Sequence, residues 1–430
     1  MPSATQLTFL ERPELRVEVD EWTFNGASTR ELTHCYHDYP ARMIPQVAGK
    51  IVDLFGCGAK LIFDPYAGTG TSLVEGMIRG INVIGTDLNP LARLIAGAKT
   101  SMPDQCLIDK YICNFNRFVF DYTPDHLAVL PTIQGVTRLG FWFKEGVVEK
   151  LYRLREFIQS IDDDYARLFF QVAFSETVRE SSNTRNDEFK LYRYDAEKLA
   201  SFNPDVFMLM SQKLQRNRTG LERFLAIIQR FKDTPVANVY SFNTVVGIPH
   251  EYLTPASVDM VVTSPPYGDS RTTVAYGQYS RLSAAWLKLE EPDKIDKRLM
   301  GGVAAKKIIR FHSAVLDSAI EQIGNADKKR ATEVCAFYLD LHASISNVAQ
   351  IIKPKGYACY VVGNRKVKGV VLPTDIAVKD FFEGCGFEHV STFTRHIPNK
   401  RMPLKNSPTY APGVLDSTMT NEYIVVMRNA

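Results

Sequence analysis

The sequence predicts an α/β chain: a Rossmann-like sheet with helices on both faces, carrying a mostly helical insertion. Two observations carry that prediction. From Leu61 to Asp87 the chain runs apolar strand, Gly-rich turn, helix, second strand and terminal acid, the first half of a doubly wound nucleotide-binding fold. About 200 residues later, the apolar run Val258-Asp-Met-Val-Val262 ends in Thr-Ser-Pro-Pro-Tyr-Gly-Asp-Ser. Two successive prolines cannot donate to a sheet or continue as a helix, so they make a stiff strand tip that holds its carbonyls in a set direction.

The bulk properties leave function open. A chain of 430 residues predicts two domains, or one with large insertions. Hydrophobic content of 45% and charged content of 23% are those of an ordinary globular protein. The seven cysteines are scattered without CxxC spacing, which argues against a disulfide framework or a structural zinc site and predicts no metal. No stretch approaches a membrane span, and Met-Pro-Ser-Ala-Thr-Gln lacks the pattern of a signal peptide. A cytoplasmic location and no membrane partner are expected. The net charge of +3 is compatible with nucleic acid without arguing for it.

In the first unit, Leu61–Phe63 reads as a strand, residues 64–70 as the turn, Thr71 onward as a helix, and residues 81–85 as the second strand. Gly68 and Gly70 let the backbone bend sharply and approach a ligand. Asp87, at the second strand's tip, sits where a carboxylate can accept both hydroxyls of a ribose. The turn lacks the third glycine of a dinucleotide fingerprint and the Gly-Lys-Ser/Thr of a Walker A loop. An acid at the first tip, Asp64, suits a cationic ligand group instead.

Asp64-Pro-Tyr-Ala-Gly-Thr-Gly-Thr71 and Ser264-Pro-Pro-Tyr267 together resemble the two signature motifs of the DNA amino-methyltransferases. Members of that family move a methyl group from S-adenosylmethionine to an exocyclic base nitrogen. Their first motif is Asp-Pro-Phe-x-Gly-x-Gly-Thr, with Tyr66 standing here for Phe, and their second is Ser/Asn/Asp-Pro-Pro-Tyr/Phe. The resemblance implies a methyltransferase sheet with S-adenosyl-L-methionine bound by Asp64, Pro65, Tyr66, Ala67, Gly68, Gly70, Thr71, Asp87 and Leu88. Three weaker matches add to it. The segment 36–45, with Tyr39, Pro40 and Ala41, resembles the one that packs over the cofactor's methionine end. The strand 239–243, with Ser241 and Asn243, resembles the one whose tip meets the adenine. Residues 397–403 and 422–428 resemble the closing β-hairpin.

The resemblance also assigns chemistry to the proline tip. An exocyclic amine is a poor nucleophile because its lone pair is delocalised into the ring. Acceptors on its protons draw it towards tetrahedral geometry and aim it, and Ser264 and the carbonyl of Pro265 are such acceptors, held still by Pro265 and Pro266. Tyr267 is then a stacking platform for a base turned out of double-stranded DNA. Ser rather than Asp or Asn in the first position tilts the target towards cytosine N4, with adenine N6 the nearest alternative. More remote are an RNA guanine-N2 enzyme and a binding module without transfer. A restriction–modification role, with a cognate restriction endonuclease, follows from the resemblance alone.

The rest of the chain divides accordingly. Residues 30–100 form the cofactor-binding half, 101–235 a mostly helical insertion, 236–284 the catalytic strand and loop, 285–335 a second insertion open to target recognition, and 336–430 the second half. The polar, aperiodic stretch 179–193 reads either as a solvated loop or as a DNA-contacting one through Arg179, Ser182, Asn183 and Arg185. Arg271, Thr272 and Tyr276, directly after the proline tip, are candidates for holding the neighbours of the extruded nucleotide. Lys400 and Arg401 sit in a basic loop suited to phosphates. A turn is expected at Lys353-Pro-Lys-Gly356 between a helix and a strand over 357–363.

Overall fold

The computed structural model describes residues 16–18, 20–40, 42–124, 131–186, 190–269, 275–290, 294–397, 405–406, 416–417 and 419–430. Its centre is one eight-stranded sheet. In chain order the strands are β1 (Arg16–Glu18), β2 (Leu61–Asp64), β3 (Asn82–Thr86), β4 (Ala237–Tyr240), β5 (Val258–Thr263), β6 (Ile352–Val362), β7 (Phe387–His396) and β8 (Asn421–Asn429). Across the sheet they lie β1-β7-β8-β6-β5-β2-β3-β4. The run from β4 to β6 is parallel, while β8 is antiparallel to both β6 and β7. The doubly wound fold is therefore present, closed at one side by the antiparallel pair β7–β8; of the segment 397–403 expected in the closing hairpin, residues 398–403 lie outside the described residues.

The order reverses between β2 and β5. These strands are neighbours, with Ile62 opposite Met260 and Phe63 opposite Val261, though in the chain β2 ends at Asp64 and β5 begins only at Val258. In open α/β sheets a crevice opens outside the carboxyl ends of the strands at such a reversal. Asp64 and Ser264 both stand at that edge.

Side chains alternate across the sheet with period two, and this splits the core. Ile62, Val83, Met260 and Val262 face one way. They meet α1 (Pro45–Phe55), α2 (Thr71–Met77) and α3 (Pro90–Thr100), the insertion helices α4 (Gln105–Phe120), α5 (Glu145–Gln159), α6 (Asp164–Ser181) and α7 (Val206–Ile228), and α8 (Tyr276–Trp286), which follows the proline tip. Phe63, Val261, Tyr360 and Val425 face the other way. They pack on α9 (Ala314–Ala326), α10 (Lys328–Ile351) and α11 (Thr374–Glu383). Helices α5, α6 and α7 fill most of the stretch 139–231, as its spacing predicts. Helix α9, inside the second insertion, buries Leu316, Ala319, Ile320 and Ile323 against α10 and α11, so this part of 285–335 is core.

The turn expected at Lys353–Gly356 is corrected: β6 begins at Ile352, directly off α10. Lys355 adopts φ +66°, and the register with β5 shifts between Val258 and Met260. The prolyl residue and the left-handed lysine make a bulge in a continuing strand. Among the described residues, no helix is long and apolar enough to cross a membrane.

Gly70 caps α2 with φ +75°, and a Cβ there would sit 3.0 Å from the Cβ of Ala96 on α3. Gly70→Ala is expected to lower stability by about 1–2 kcal/mol, from left-handed strain and the crowded contact. Urea unfolding measures it, and an unchanged midpoint contradicts this reading.

Candidate active site

Each side of the crevice is set by a strand tip and the turn that follows it. The β2 tip carries Asp64, and the chain turns through 65–70 before α2. The β3 tip carries Asp87. The β5 tip carries Ser264. One cleft is lined by Tyr39, Pro40, Asp64, Pro65, Tyr66, Ala67, Gly68, Thr71, Asp87, Leu88, Asn243, Ser264, Pro266 and Tyr276. Most residues singled out for a cofactor therefore converge, along with two of the proline tip.

Asp64 is 3% exposed. Its Oδ1 accepts from Thr263 Oγ1 at 2.5 Å and from the Tyr66 amide at 3.0 Å, and Ser72 Oγ donates to Oδ2. Burial pushes its carboxyl up to about 6, against the pull of those three donors. Asp87 accepts from the Gly68 amide (3.0 Å) on one oxygen and the Asn89 amide (2.7 Å) on the other. Burial raises its carboxyl as well. Each oxygen of Asp87 keeps a lone pair for a further donor. These backbone bonds also tie the Gly-rich turn to the β3 tip, fixing the two acids relative to each other.

The wall opposite is aromatic. Tyr39 stacks on Tyr276 with ring centroids 5.8 Å apart and planes 13° from parallel. The side chain of Asn89 donates to the Tyr39 hydroxyl and to Ser280 Oγ, both at 2.7 Å. Tyr66, where the resembled motif has Phe, uses its hydroxyl to bond Ser344 Oγ of α10 at 2.5 Å.

At the proline tip Pro265 is buried and Tyr267 half-buried. Ser264 Oγ donates to the Tyr267 hydroxyl at 3.1 Å, and that hydroxyl donates to Glu422 Oε1 at 3.0 Å. Arg395 pairs with the other oxygen of Glu422. Burial, then the Glu422 carboxylate, hold the Tyr267 phenol well above its ordinary value, so the ring keeps its proton. Asp269, at 1% exposure, accepts from Arg330 (2.8 Å) and Arg365 (3.2 Å). It therefore anchors the loop after the tip.

Several expectations need correction. Gly70 does not line the cleft; its place is set by the cap and by Ala96. Ser241 is exposed and off the cleft, whereas Phe242 and Asn243 line it, because β4 stops at Tyr240 and the chain then bends inward. Tyr276 belongs to the cleft wall beside Tyr39. The stretch 179–193 is not a solvated loop throughout. Arg179, Ser182 and Asn183 are at most 3% exposed. Arg179 lies 4.4 Å over the Tyr279 ring, Ser182 Oγ donates to the Arg179 carbonyl, and Asn183 donates to the Phe141 carbonyl. As placed, none of the three reaches a nucleic acid. Arg185 is exposed. Ala41, Arg271, Thr272, Lys400 and Arg401 lie outside the described residues.

Sequence reasoning missed Arg42, Met43, Thr69, Ser72, Asn89, Thr244, Val245, Leu299, Met300 and Asp340, which also line the cleft. Asn89 carried a signal in the Asn-Pro start of a helix, where its side chain caps the Leu91 amide. Asp340 carried none, since it reads as one polar face of α10.

No known family profile matches the chain. It is 40% identical over 423 residues to the type II methyltransferase M.MvaI of Kocuria varians, spanning 94% of this chain and 93% of that one. It is 37% identical over 222 residues to the type II methyltransferase M.MjaII of Methanocaldococcus jannaschii, spanning 50% of this chain and 40% of that one. Among solved structures, the rRNA methyltransferase aviRa of Streptomyces viridochromogenes aligns over 91% of this chain and 88% of its own, at 11% identity and a TM-score of 0.32. A protein of Thermus thermophilus assigned as a DNA modification methylase, solved with S-adenosyl-L-methionine, aligns over 43% and 51% at 20% identity and a TM-score of 0.21. Both scores are too low to bear on function.

Proposed function

The chain belongs to the type II DNA methyltransferase family, and from Ser264 at the β5 tip we propose that it methylates N4 of a cytosine turned out of double-stranded DNA. It is a DNA methyltransferase of the restriction–modification class, and S-adenosyl-L-methionine is its methyl donor. The partner endonuclease, cutting the same site when unmodified, is part of the proposal.

The donor set of the cleft fits that cofactor. Asp64 offers a buried carboxylate to a cationic amino group, and Asp87 offers lone pairs to ribose hydroxyls. Phe242, Leu88 and Val245 offer apolar surface to an adenine. When bound, the cofactor supplies an electrophilic methyl on a sulfonium. The protein's own residues do the rest. Ser264 Oγ and the Pro265 carbonyl accept from the amino protons and aim the nitrogen. The Tyr267 ring is the stacking surface for the extruded base, a contact worth about 1–3 kcal/mol.

The observation that carries the cytosine assignment is Ser264: a neutral hydroxyl at the β5 tip, one strand away from Asp64. It can accept from an amino proton while its own hydrogen goes to Tyr267. Enzyme, cofactor and duplex DNA, followed by digestion to nucleosides and mass spectrometry, test the assignment. N4-methylcytosine is expected, and N6-methyladenine alone contradicts it.

The pH dependence of cofactor binding follows from Asp64. A bound cation favours the ionised carboxylate, so binding below about pH 6 must first expel a proton. The dissociation constant is expected to rise as pH falls from about 7 through about 6. Isothermal calorimetry at several pH values measures it. A constant affinity across that window contradicts the role of Asp64.

A further inference from the structure

The proposed amine methylation leaves one step unassigned: a methylated exocyclic nitrogen must lose a proton. We propose that Ser264, Tyr267 and Glu422 form a relay that carries this proton out of the cleft to Glu422. The inference rests on the reading above for its chemistry, but not on which base is the target.

The direction of the hydrogen bonds supports it. Ser264 Oγ donates to the Tyr267 hydroxyl (3.1 Å), which donates to Glu422 Oε1 (3.0 Å). The hydrogen of Ser264 therefore points away from the cleft, and its lone pairs are left for the amine. Glu422 ends the row at the start of β8, with 15% of its side chain exposed, so solvent can recover the proton. Arg395, which pairs with Glu422, is itself held by the Trp22 carbonyl at 3.0 Å.

A purely architectural role is the competing account, and Asp269 weighs against it. Its bonds to Arg330 and Arg365 already tie the loop after the tip to α10 and to the chain beyond β6. The resembled motif accepts Phe as well as Tyr at position 267, so the hydroxyl is a feature of this chain. The Tyr66 hydroxyl is no substitute, being spent on Ser344.

In the step itself, the nitrogen lone pair bonds the methyl carbon, and the carbon–sulfur pair stays with sulfur. The charged nitrogen gives one proton to Ser264 Oγ as the serine hydrogen passes to Tyr267 and the tyrosine hydrogen to Glu422. Charge balances at every stage: the nitrogen becomes neutral, Glu422 becomes a carboxylic acid, and neither hydroxyl ionises.

Tyr267→Phe keeps the ring and removes the relay. Single-turnover methylation of duplex DNA in H2O and D2O mixtures is measured alongside the dissociation constants for cofactor and DNA. The variant is expected to keep both constants within about twofold and to lose about 10- to 100-fold in rate, the scale of a lost proton-transfer partner. The wild-type rate is expected to depend on deuterium fraction as a curve, showing several protons in motion, and the variant to lose that curvature. Glu422→Gln should match it. Should the glutamine variant fail to fold with Arg395 unpaired, Tyr267→Phe decides alone, since it leaves that ion pair intact. A wild-type rate in Tyr267→Phe, an unchanged isotope curve, or a rate loss matched by lost DNA affinity overturns the relay. N6-methyladenine as product would overturn the cytosine assignment while an intact isotope curve would still support the relay.

Discussion

Ser264→Ala is expected to lower the single-turnover rate by about 10²- to 10³-fold, the cost of deleting one preorganised polar group where transition-state charge develops. The lone pair of an exocyclic amine becomes available only as its protons are drawn aside, and alanine offers them nothing. The Pro265 carbonyl remains, so activity should fall rather than vanish. Cofactor affinity should stay within about twofold, roughly 0.4 kcal/mol, because the Ser264 hydroxyl bonds Tyr267 and neither acid of the cofactor cleft. Rapid-quench methylation together with equilibrium cofactor binding separates the two quantities. A raised cofactor dissociation constant with an unchanged rate contradicts the assignment.

Asp87→Ala should do the opposite. Hydrogen bonds to a charged group contribute about 1.5–3 kcal/mol, so losing the ribose acceptor weakens cofactor binding by about 10- to 150-fold. A further loss comes through the fold, because Asp87 also receives the Gly68 and Asn89 amides. Without it the Gly-rich turn loses one tie to the β3 tip and keeps the bond from the Ala67 amide to the Thr86 carbonyl (3.0 Å). Asp87→Asn tests this division: its side-chain oxygen can still take one of the two amides, so it should bind cofactor better than alanine and worse than the native chain. Cofactor titration at fixed pH measures all three. Unchanged binding in Asp87→Ala would mean that the β3 tip faces away from the cofactor.

What the sequence made legible is local. Asp64 to Thr71 and Asp87 were readable because the turn chemistry lies within a few residues: a glycine is needed where φ is positive, and an acid stands at a strand tip. Ser264 was readable because two prolines mark an end. The long-range part was not. Nothing in the chain announces that β2 and β5 are neighbours, apart from the resemblance. Leu299, Met300 and Asp340 enter the cleft from segments that pattern alone presents as surface. Parity misplaced Ser241, because β4 ends one residue before it. Composition misled at Arg179, Ser182 and Asn183, where polar residues read as a solvated loop. They instead close the end of α6, with Arg179 over the Tyr279 ring and Ser182 and Asn183 donating to backbone carbonyls. Polar side chains report only that partners are needed, not whether those partners are water, protein or DNA.

The central claim is that the Ser264 tip presents an exocyclic cytosine nitrogen to the methyl donor held by Asp64 and Asp87. It is tested most directly by following both atoms at once. A duplex substrate carrying 15N only at the cytosine exocyclic nitrogen is methylated with a CD3-labelled donor, digested, and the modified base fragmented in a mass spectrometer. The expected result is one base fragment in which the 15N carries the CD3 group. CD3 on cytosine carbon or on adenine nitrogen, with the labelled nitrogen unmodified, would contradict the claim.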